Sequence, residues 1–277
     1  MADNAAARPV VDIAGLTKVF DGGVTALDDL SLQVDQGELL VLIGLSGAGK
    51  STLLRHVNGL TRPTSGTVRV LDVDVNTVSK TQLRSLRKRI GFIFQQFNLV
   101  RQLTALENVL TGGLARLRGP RFGVMSYPNG MRREAMEQLD RVGIAEQAFQ
   151  RAATLSGGQQ QRVAIARTLF QKADLVLADE PVASLDPEAS EEVMEVLFRV
   201  CREDNLTVMC SLHQVDLALG WADRMVGMRD GRIVLDESAH ELPPETAMMV
   251  YRRDGSEHRH ERSERRRPDA GAFGLTG

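Results

Sequence analysis

The chain has 277 residues, with 34 Lys and Arg against 36 Asp and Glu, and 43% of its residues are hydrophobic. These proportions are ordinary for a soluble globular protein, and a formal net charge of −2 argues against bulk nucleic-acid binding, which usually needs a marked basic excess. The longest apolar run, residues 39–45, is far shorter than the ~18 residues of a membrane-spanning helix, and the N-terminus lacks the features of a signal peptide. Cys201 and Cys210 are too few for a disulfide framework, so the composition predicts a soluble cytosolic protein with reduced thiols.

Hydrophobic patterning predicts strands that alternate with helices along most of the chain. Short alternating or continuously apolar stretches predict strands at 10–16, 30–34, 39–43, 66–75, 90–94, 175–178, 206–211 and 225–228. Helical spacing predicts helices at 51–59, 80–88, 132–142, 158–170 and 188–200. This order is typical of βαβ units around a parallel sheet, so we expect an α/β fold with a helical insertion at about residues 97–170.

The two ends of the chain differ in composition from this central part. Residues 1–9 are predicted to be a flexible N-terminus, residues 10–245 the folded domain, and residues 246–277 a disordered Arg-rich tail. Within that tail, residues 252–277 hold seven Arg and five acidic residues but few apolar ones. A basic stretch at 116–131 is predicted to be a solvated loop, with contact to lipid head groups or to a partner protein as the alternative.

The most specific motif is a glycine-rich loop, residues 44–51 (GLSGAGKS), which fits the phosphate-binding pattern G-x-x-x-x-G-K-[ST] between a predicted strand and a predicted helix. Glycines let backbone N–H groups turn toward an anion, and the helix adds its positive N-terminal end. Lys50 is expected to reach the β- and γ-phosphates and the Ser51 hydroxyl to bind Mg²⁺. The alternative is a glycine-rich turn that precedes a lysine by chance. The predicted nucleotide-binding residues here are Gly44, Ser46, Gly47, Gly49, Lys50, Ser51 and Thr52.

A second pair of candidate residues follows the predicted strand at 175–178. Asp179 stands where P-loop proteins place an Asp that holds the Mg²⁺ shell. Glu180, the next residue, could polarise a water molecule for attack on the γ-phosphate. The alternative is a strand that ends in a polar turn before Pro181, and the phosphate-binding motif upstream favours the nucleotide site.

Residues 155–162 (LSGGQQQR) resemble the signature motif of ATP-binding-cassette (ABC) ATPases, and they precede Asp179 at the spacing of that family. Ser156 is a good N-cap, so the motif also predicts a second helix start that can bind an anion. An isolated Ser-Gly-Gly could instead be a linker. The resemblance implies that the motif contacts a nucleotide bound by a partner subunit. The residues implied in this contact are Ser156, Gly157, Gly158 and Gln159.

Four further positions fit the same resemblance. Gln95 resembles the glutamine that contacts the metal or the attacking water, and His213 resembles the histidine that contacts the γ-phosphate. Asp186 resembles part of the loop that crosses between subunits, and Phe20 resembles the aromatic residue that stacks on adenine. A lone Phe is more often a core residue and a lone His is usually structural, so both interpretations depend on the other motifs.

The resemblance implies a P-loop ABC ATPase cassette, with a parallel-sheet core, an N-terminal antiparallel β subdomain and a helical subdomain. The implied activity is hydrolysis of ATP with Mg²⁺ as cofactor. The implied metal ligands are Ser51, Gln95 and Asp179, and the implied catalytic residues are Glu180, His213 and Gln95. One chain carries one P-loop and one signature motif, so the resemblance implies a head-to-tail homodimer with each ATP between two subunits.

The lack of membrane spans in a transporter-like ATPase implies that the pore is another chain, an integral membrane permease. A solute-binding protein is then expected as an indirect partner. No nucleic-acid partner is expected. We then expect a peripheral subunit on the cytoplasmic face of the bacterial inner membrane. Residues 91–100 and 108–112 resemble the phosphonate importer ATPases, which implies uptake of phosphonate or a related phosphorus oxyanion. Polar amino acids or methionine are alternative cargoes, as is the substrate of a lipoprotein-releasing exporter. A single cassette without a long coiled coil argues against ABC ATPases of DNA repair or translation.

Overall fold

The computed structural model describes residues 9–117 and 126–251. Within these residues, ten strands form two sheets. The strands are β1 (Val11–Val19), β2 (Thr25–Val34), β3 (Leu39–Ile43), β4 (Ser65–Val70), β5 (Val73–Asp74), β6 (Ile90–Ile93), β7 (Leu175–Asp179), β8 (Thr207–Ser211), β9 (Arg224–Arg229) and β10 (Arg232–Ser238).

One sheet is antiparallel, with the strand order β2-β1-β4-β5, and the other has six strands in the order β10-β9-β3-β8-β7-β6. In the larger sheet, β9, β3, β8, β7 and β6 are parallel to one another, and only the edge strand β10 is antiparallel to its neighbour. The carboxyl ends of β3, β8, β7 and β6 therefore lie along one edge, where ligand sites of parallel sheets form. The predicted α/β fold with a parallel-sheet core and an antiparallel β subdomain is confirmed.

Eight α-helices accompany the sheets in the described ranges. They are α1 (Lys50–Val57), α2 (Lys80–Lys88), α3 (Ala105–Gly112), α4 (Asn129–Arg141), α5 (Gly157–Gln171), α6 (Pro187–Glu203), α7 (Val215–Trp221) and α8 (Pro244–Met249). Helices α3, α4 and α5 lie between β6 and β7, in the segment predicted to be a helical insertion at about residues 97–170, and α5 ends one residue beyond it. None of the helices in residues 9–117 and 126–251 is both long enough and apolar enough to cross a bilayer.

Strand β3 is buried on both faces of the larger sheet. All five of its side chains are at most 1% exposed. Leu39, Val41 and Ile43 belong to one hydrophobic cluster, and Leu40 and Leu42 belong to another, because successive side chains of a strand point to opposite faces of the sheet. Each such side chain contributes about 1.5–3 kcal/mol relative to leaving it exposed. The loop that follows β3 is therefore anchored by a strand that is packed on both faces.

Two predicted boundaries differ from the structure. The stretch 66–75 is not one strand, because Leu71 and Asp72 adopt φ values of 49° and 65° and turn the chain between β4 and β5. The predicted domain end at residue 245 falls inside α8, where Ala247 is 0% exposed, and Val250, directly after α8, is 3% exposed. The packed chain thus continues beyond the predicted boundary, since a six-residue helix offers too few apolar positions to show a clear periodicity.

Parts of the sequence predictions lie outside the described residues. These are residues 1–8 of the predicted flexible N-terminus, residues 118–125 of the basic stretch, and residues 252–277 of the predicted tail.

Candidate active site

The glycine loop between β3 and α1 requires its glycines for geometric reasons. Gly44, Gly47 and Gly49 have φ values of 148°, 86° and 103°, in a region that other residues rarely adopt. A Cβ on Gly44 would lie 2.3 Å from the carbonyl oxygen of Met228, and one on Gly49 would lie 2.7 Å from that of Ala26. The backbone therefore curls closely against the neighbouring strands, which a residue with a Cβ would prevent at Gly44 and Gly49.

Lys50 folds back over this loop and is almost fully buried, with 4% exposure. Its Nζ donates hydrogen bonds to the carbonyl oxygens of Gly44 (2.7 Å) and Leu45 (3.2 Å), and it lies 3.8 Å from Glu180 Oε1. Burial lowers the pKa of Lys50, while the charges of Glu180 and Asp179 oppose that shift. A buried ammonium group next to a curled loop is a strong attractor for the oxygens of a phosphate group.

Ser51 and Asp179 form the centre of a polar cluster at the sheet edge. The Ser51 hydroxyl donates to Asp179 Oδ1 at 2.7 Å, and the Ser211 hydroxyl donates to the same oxygen at 3.1 Å. Ser211 is opposite Asp179 in the pairing of β7 with β8, and it also accepts a hydrogen bond from the main-chain N–H of Glu180 at 2.9 Å. The hydroxyl and the carboxylate supply adjacent oxygen atoms of the kind that Mg²⁺ prefers.

Glu180 and His213 contact each other directly. Their side chains meet at 2.6 Å between His213 Nε2 and Glu180 Oε1. Glu180 adopts a φ of 48°, which is unfavourable for a residue with a Cβ, and the hydrogen bond from its N–H to Ser211 fixes this turn. The turn places the Glu180 carboxylate between Lys50 and His213, a position from which it can accept a proton.

Gln95 follows β6 and is exposed. Asp179 is the last residue of β7. Because β6 and β7 are parallel neighbours, Gln95 and Asp179 lie at the same edge of the sheet. The main chain after Gln95 is held by Arg167 of α5, which donates to the carbonyl oxygens of Asn98 (2.6 Å) and Phe97 (3.0 Å). The loop that begins with Gln95 is thus tied to the helical insertion.

Phe20 lies in the turn between β1 and β2, and the residue is 44% exposed. The ammonium group of Lys18 lies 5.1 Å from the ring centroid. The strand that follows this turn borders the glycine loop, because a Cβ on Gly49 would contact the carbonyl oxygen of Ala26. A packing role in the core does not fit this position, whereas an exposed ring in the turn before β2 is compatible with stacking.

The signature-like motif starts α5. The N–H of Gln159 donates to Ser156 Oγ at 3.2 Å, and the N–H of Ser156 donates to Gln159 Oε1 at 2.9 Å, which is a reciprocal capping box. Gly157 packs closely on the loop before α6, where its Cβ would lie 2.8 Å from Leu185 Cδ2. Asp186 ends that loop and caps α6.

The structure divides the predicted site residues other than Phe20 into two groups. One group surrounds the glycine loop and the ends of β6, β7 and β8: Gly44, Ser46, Gly47, Gly49, Lys50, Ser51, Thr52, Gln95, Asp179, Glu180 and His213. The other group lies at the starts of α5 and α6: Ser156, Gly157, Gly158, Gln159 and Asp186. In the described ranges no hydrogen bond or ion pair joins the glycine loop to the start of α5.

Comparison with known proteins gives consistent results. A sequence model of ABC transporters matches residues 27–183. The chain is 58% identical over 253 residues to the phosphonates import ATP-binding protein PhnC of Nocardia farcinica, covering 91% of this chain and 94% of that one. It is 62% identical over 244 residues to the phosphate-import ATP-binding protein PhnC of Mycolicibacterium smegmatis, covering 88% and 92%. A dimeric post-hydrolysis structure of the ATP-binding cassette MJ0796 bound to ADP and Pi aligns with a TM-score of 0.73 and 34% identity, covering 84% of this chain and 100% of that chain.

Proposed function

The chain belongs to the ABC transporter family and is an ATPase, and we propose that it powers the import of a phosphorus oxyanion through a separate membrane permease. The observation that carries the proposed chemistry is the position of the Glu180 carboxylate, 3.8 Å from Lys50 Nζ and 2.6 Å from His213 Nε2. A carboxylate, a cation and a hydrogen-bonding ring meet at the edge of the glycine loop, which supports the proposed role of Glu180 as the base.

In the proposed reaction, the amides of the glycine loop and Lys50 bind the β- and γ-phosphates of ATP. The γ-phosphate competes with Glu180 for Lys50 and for the His213 ring. Once these groups turn to the phosphate, the Glu180 carboxylate accepts a proton from the attacking water. Lys50 and His213 then stabilise the charge that develops on the transferred phosphoryl group, and Gln95 helps to orient the water.

The oxygen atoms of Ser51 and Asp179 fit a Mg²⁺ ion, because Mg²⁺ is usually bound through one or two protein oxygens and the phosphates of the substrate. Such an ion would supply charge neutralisation at the β- and γ-phosphates. Ser211 supports this pair by donating to the same Asp179 oxygen at 3.1 Å. Gln95 is the third ligand that we propose, since it leaves the neighbouring strand at the same edge.

We propose that the active unit is a head-to-tail homodimer. The start of α5 and the glycine loop form separate groups within one subunit, so Ser156, Gly157, Gly158 and Gln159 are available to a nucleotide held by a second copy. The dimeric MJ0796 structure bound to ADP and Pi supports this assembly by analogy. Asp186, beside the signature motif, would lie near the same interface, and Phe20 would stack on the adenine ring.

The proposed partners also include an integral membrane permease, and a solute-binding protein that acts through it. A cleft of about 360 Å³ between the larger sheet and the helical insertion supports permease docking. Its lining includes Phe92, Phe94, Asn98 and Arg167, so it adjoins the loop that begins with Gln95. A docked segment could thereby influence the ATP site. We propose that the subunit sits at the cytoplasmic face of a bacterial plasma membrane.

The cargo is proposed from the names of two relatives, one described as a phosphonates importer and the other as a phosphate importer. The test is uptake into proteoliposomes that contain this ATPase, its permease and its solute-binding protein. We expect ATP-dependent uptake of methylphosphonate or inorganic phosphate, and competition between the two identifies the preferred one. Uptake of methionine or a polar amino acid, with no uptake of either oxyanion, would contradict the proposed cargo.

A further inference from the structure

Tyr251 lies beside the proposed active site, although the mechanism above does not use it. Its hydroxyl donates a hydrogen bond to the main-chain carbonyl oxygen of His213 at 3.0 Å. Burial raises the pKa of Tyr251, the main chain of Gly44 opposes this shift, and the charge of Glu180 adds to it. The hydroxyl is therefore a neutral donor at physiological pH, close to both the first glycine of the loop and the proposed base.

The packing of α8 defines the position of Tyr251. Val250, the preceding residue, is 3% exposed, and a Cβ on Gly227 would lie 2.5 Å from its Cγ2. Gly227 is opposite Ile43 in the pairing of β9 with β3, and Ile43 is the last residue before the glycine loop. Helix α8 also packs against α7, which begins two residues after His213. Both contacts bring the end of α8 to the edge of the sheet where the site lies.

His213 is held at both its side chain and its main chain. It lies between β8 and α7 and belongs to neither, and its side chain is 36% exposed. The ring is held by Glu180 and the main chain is held by Tyr251, so the two contacts fix opposite ends of the same residue. Without the tyrosine hydroxyl, the main-chain carbonyl of His213 would lose its hydrogen bond to the segment that follows α8.

We infer that Tyr251 is a positioning residue, which holds the main chain of His213 so that the imidazole ring reaches Glu180 and the γ-phosphate of ATP. This inference rests on the proposed role of His213 in ATP hydrolysis. Tyr251 itself does not touch the reacting atoms, and it acts through the histidine. It also couples the last described helix of the chain to the proposed catalytic centre.

The test is the Tyr251→Phe variant of the full-length protein, which removes the hydroxyl and keeps the ring. We expect kcat for ATP hydrolysis to fall about 2- to 10-fold, the effect of one lost hydrogen bond, while KM for ATP changes little because the glycine loop and Lys50 are unchanged. The matched control is Tyr127→Phe, since Tyr127 is the other of the two tyrosines and lies just before α4 in the helical insertion. This control should keep the wild-type kcat.

A second measurement does not depend on turnover. The ring resonances of ¹⁵N-labelled His213, identified by their loss in His213→Ala, should shift or broaden in Tyr251→Phe but not in Tyr127→Phe. If Tyr251→Phe keeps the wild-type kcat and the His213 resonances while His213→Ala is defective, the inference about Tyr251 is overturned. The proposed role of His213 is then unaffected. Full turnover in His213→Ala would contradict the proposed role of His213, and the inference would fall with it.

Discussion

His213 Nε2 lies 2.6 Å from Glu180 Oε1, so the two side chains proposed to act on the water and on the γ-phosphate are direct neighbours. The contact joins two strand ends, since Glu180 follows β7 and His213 follows β8 by two residues. Parallel pairing of these strands brings both residues to one edge of the sheet. The fold therefore provides the juxtaposition, and the local turn at Glu180 aims the carboxylate.

The first prediction concerns Glu180 as the general base. Glu180→Gln keeps the shape of the side chain but removes its basicity, so kcat for ATP hydrolysis should fall by about 10²- to 10⁴-fold. ATP binding should remain, because Lys50 and the glycine loop are intact. Phosphate release and binding of a fluorescent ATP analogue measure the two effects separately. Glu195→Gln, an exposed position on α6, is the matched control, and an undiminished rate in Glu180→Gln would refute the general-base role.

The second prediction concerns Ser211, which holds Asp179 and the N–H of Glu180 at the same time. Ser211→Ala leaves that N–H without its acceptor and Asp179 without one donor, so the free energy of unfolding should fall by about 1–3 kcal/mol. Support of this kind typically changes metal affinity by about 10- to 100-fold, so half-maximal ATPase activity should need at least about 10-fold more Mg²⁺.

A Mg²⁺ titration of steady-state ATPase activity, together with urea unfolding, measures both consequences of Ser211→Ala. Ser85→Ala, on the exposed face of α2, serves as the control, and neither quantity should change in it. If Ser211→Ala loses stability but keeps the wild-type Mg²⁺ requirement, Ser211 contributes to folding only.

The contacts of Ser211 could not be predicted from the sequence. The glycine loop and the Ser156–Gln159 capping box are local features, because the interacting residues lie within a few positions of each other and their spacing is visible in the sequence. Ser211 and Asp179 are 32 residues apart and meet only through the register of two parallel strands. Tyr251 reaches His213 through the packing of a six-residue helix whose apolar pattern is too short to recognise. Contacts of that kind need the tertiary structure.

The third prediction concerns alkaline pH and the buried thiol of Cys201. Burial raises the pKa of Cys201 to about 12, with the charge of Asp204 adding to the shift and Arg141 opposing it. The folded protein thus keeps the thiol protonated, while the unfolded chain ionises it from about pH 9 upward. Stability should therefore be unaffected by this group below pH 9 and should fall as the pH rises toward 12, by up to about 1.4 kcal/mol per pH unit.

Urea unfolding at pH 8 and pH 10 tests this sign in the wild type and in Cys201→Ala. The variant is expected to be less stable at pH 8, because it leaves a small cavity, but it should lose about 1.4 kcal/mol less than the wild type between the two pH values. Equal losses in both proteins would show that the Cys201 thiol does not contribute to the alkaline destabilisation.

The fourth prediction concerns the proposed head-to-tail dimer and uses two inactive variants. Lys50→Ala disables the glycine loop, and Ser156→Asp adds a negative charge at the signature motif while an Asp still caps α5. Each variant alone should be inactive, since both composite sites of its homodimer carry the defect. In a mixed dimer, one site combines both defects, and the other combines an intact glycine loop with an intact signature motif. Single-turnover hydrolysis of ATP by the mixture should therefore exceed the sum of the two separate variants.

The activity expected from the mixture depends on which subunit completes each site. If the glycine loop worked with the start of α5 in its own chain, every subunit in the mixture would keep a defect and no activity would return. A mixture of Lys50→Ala with Glu180→Gln provides the control, because both changes lie in the same half of the composite site and no intact site can form. Activity in that control would refute the proposed division of the site, whereas its absence, with recovery in the first mixture, would establish that the signature motif acts across the subunit interface.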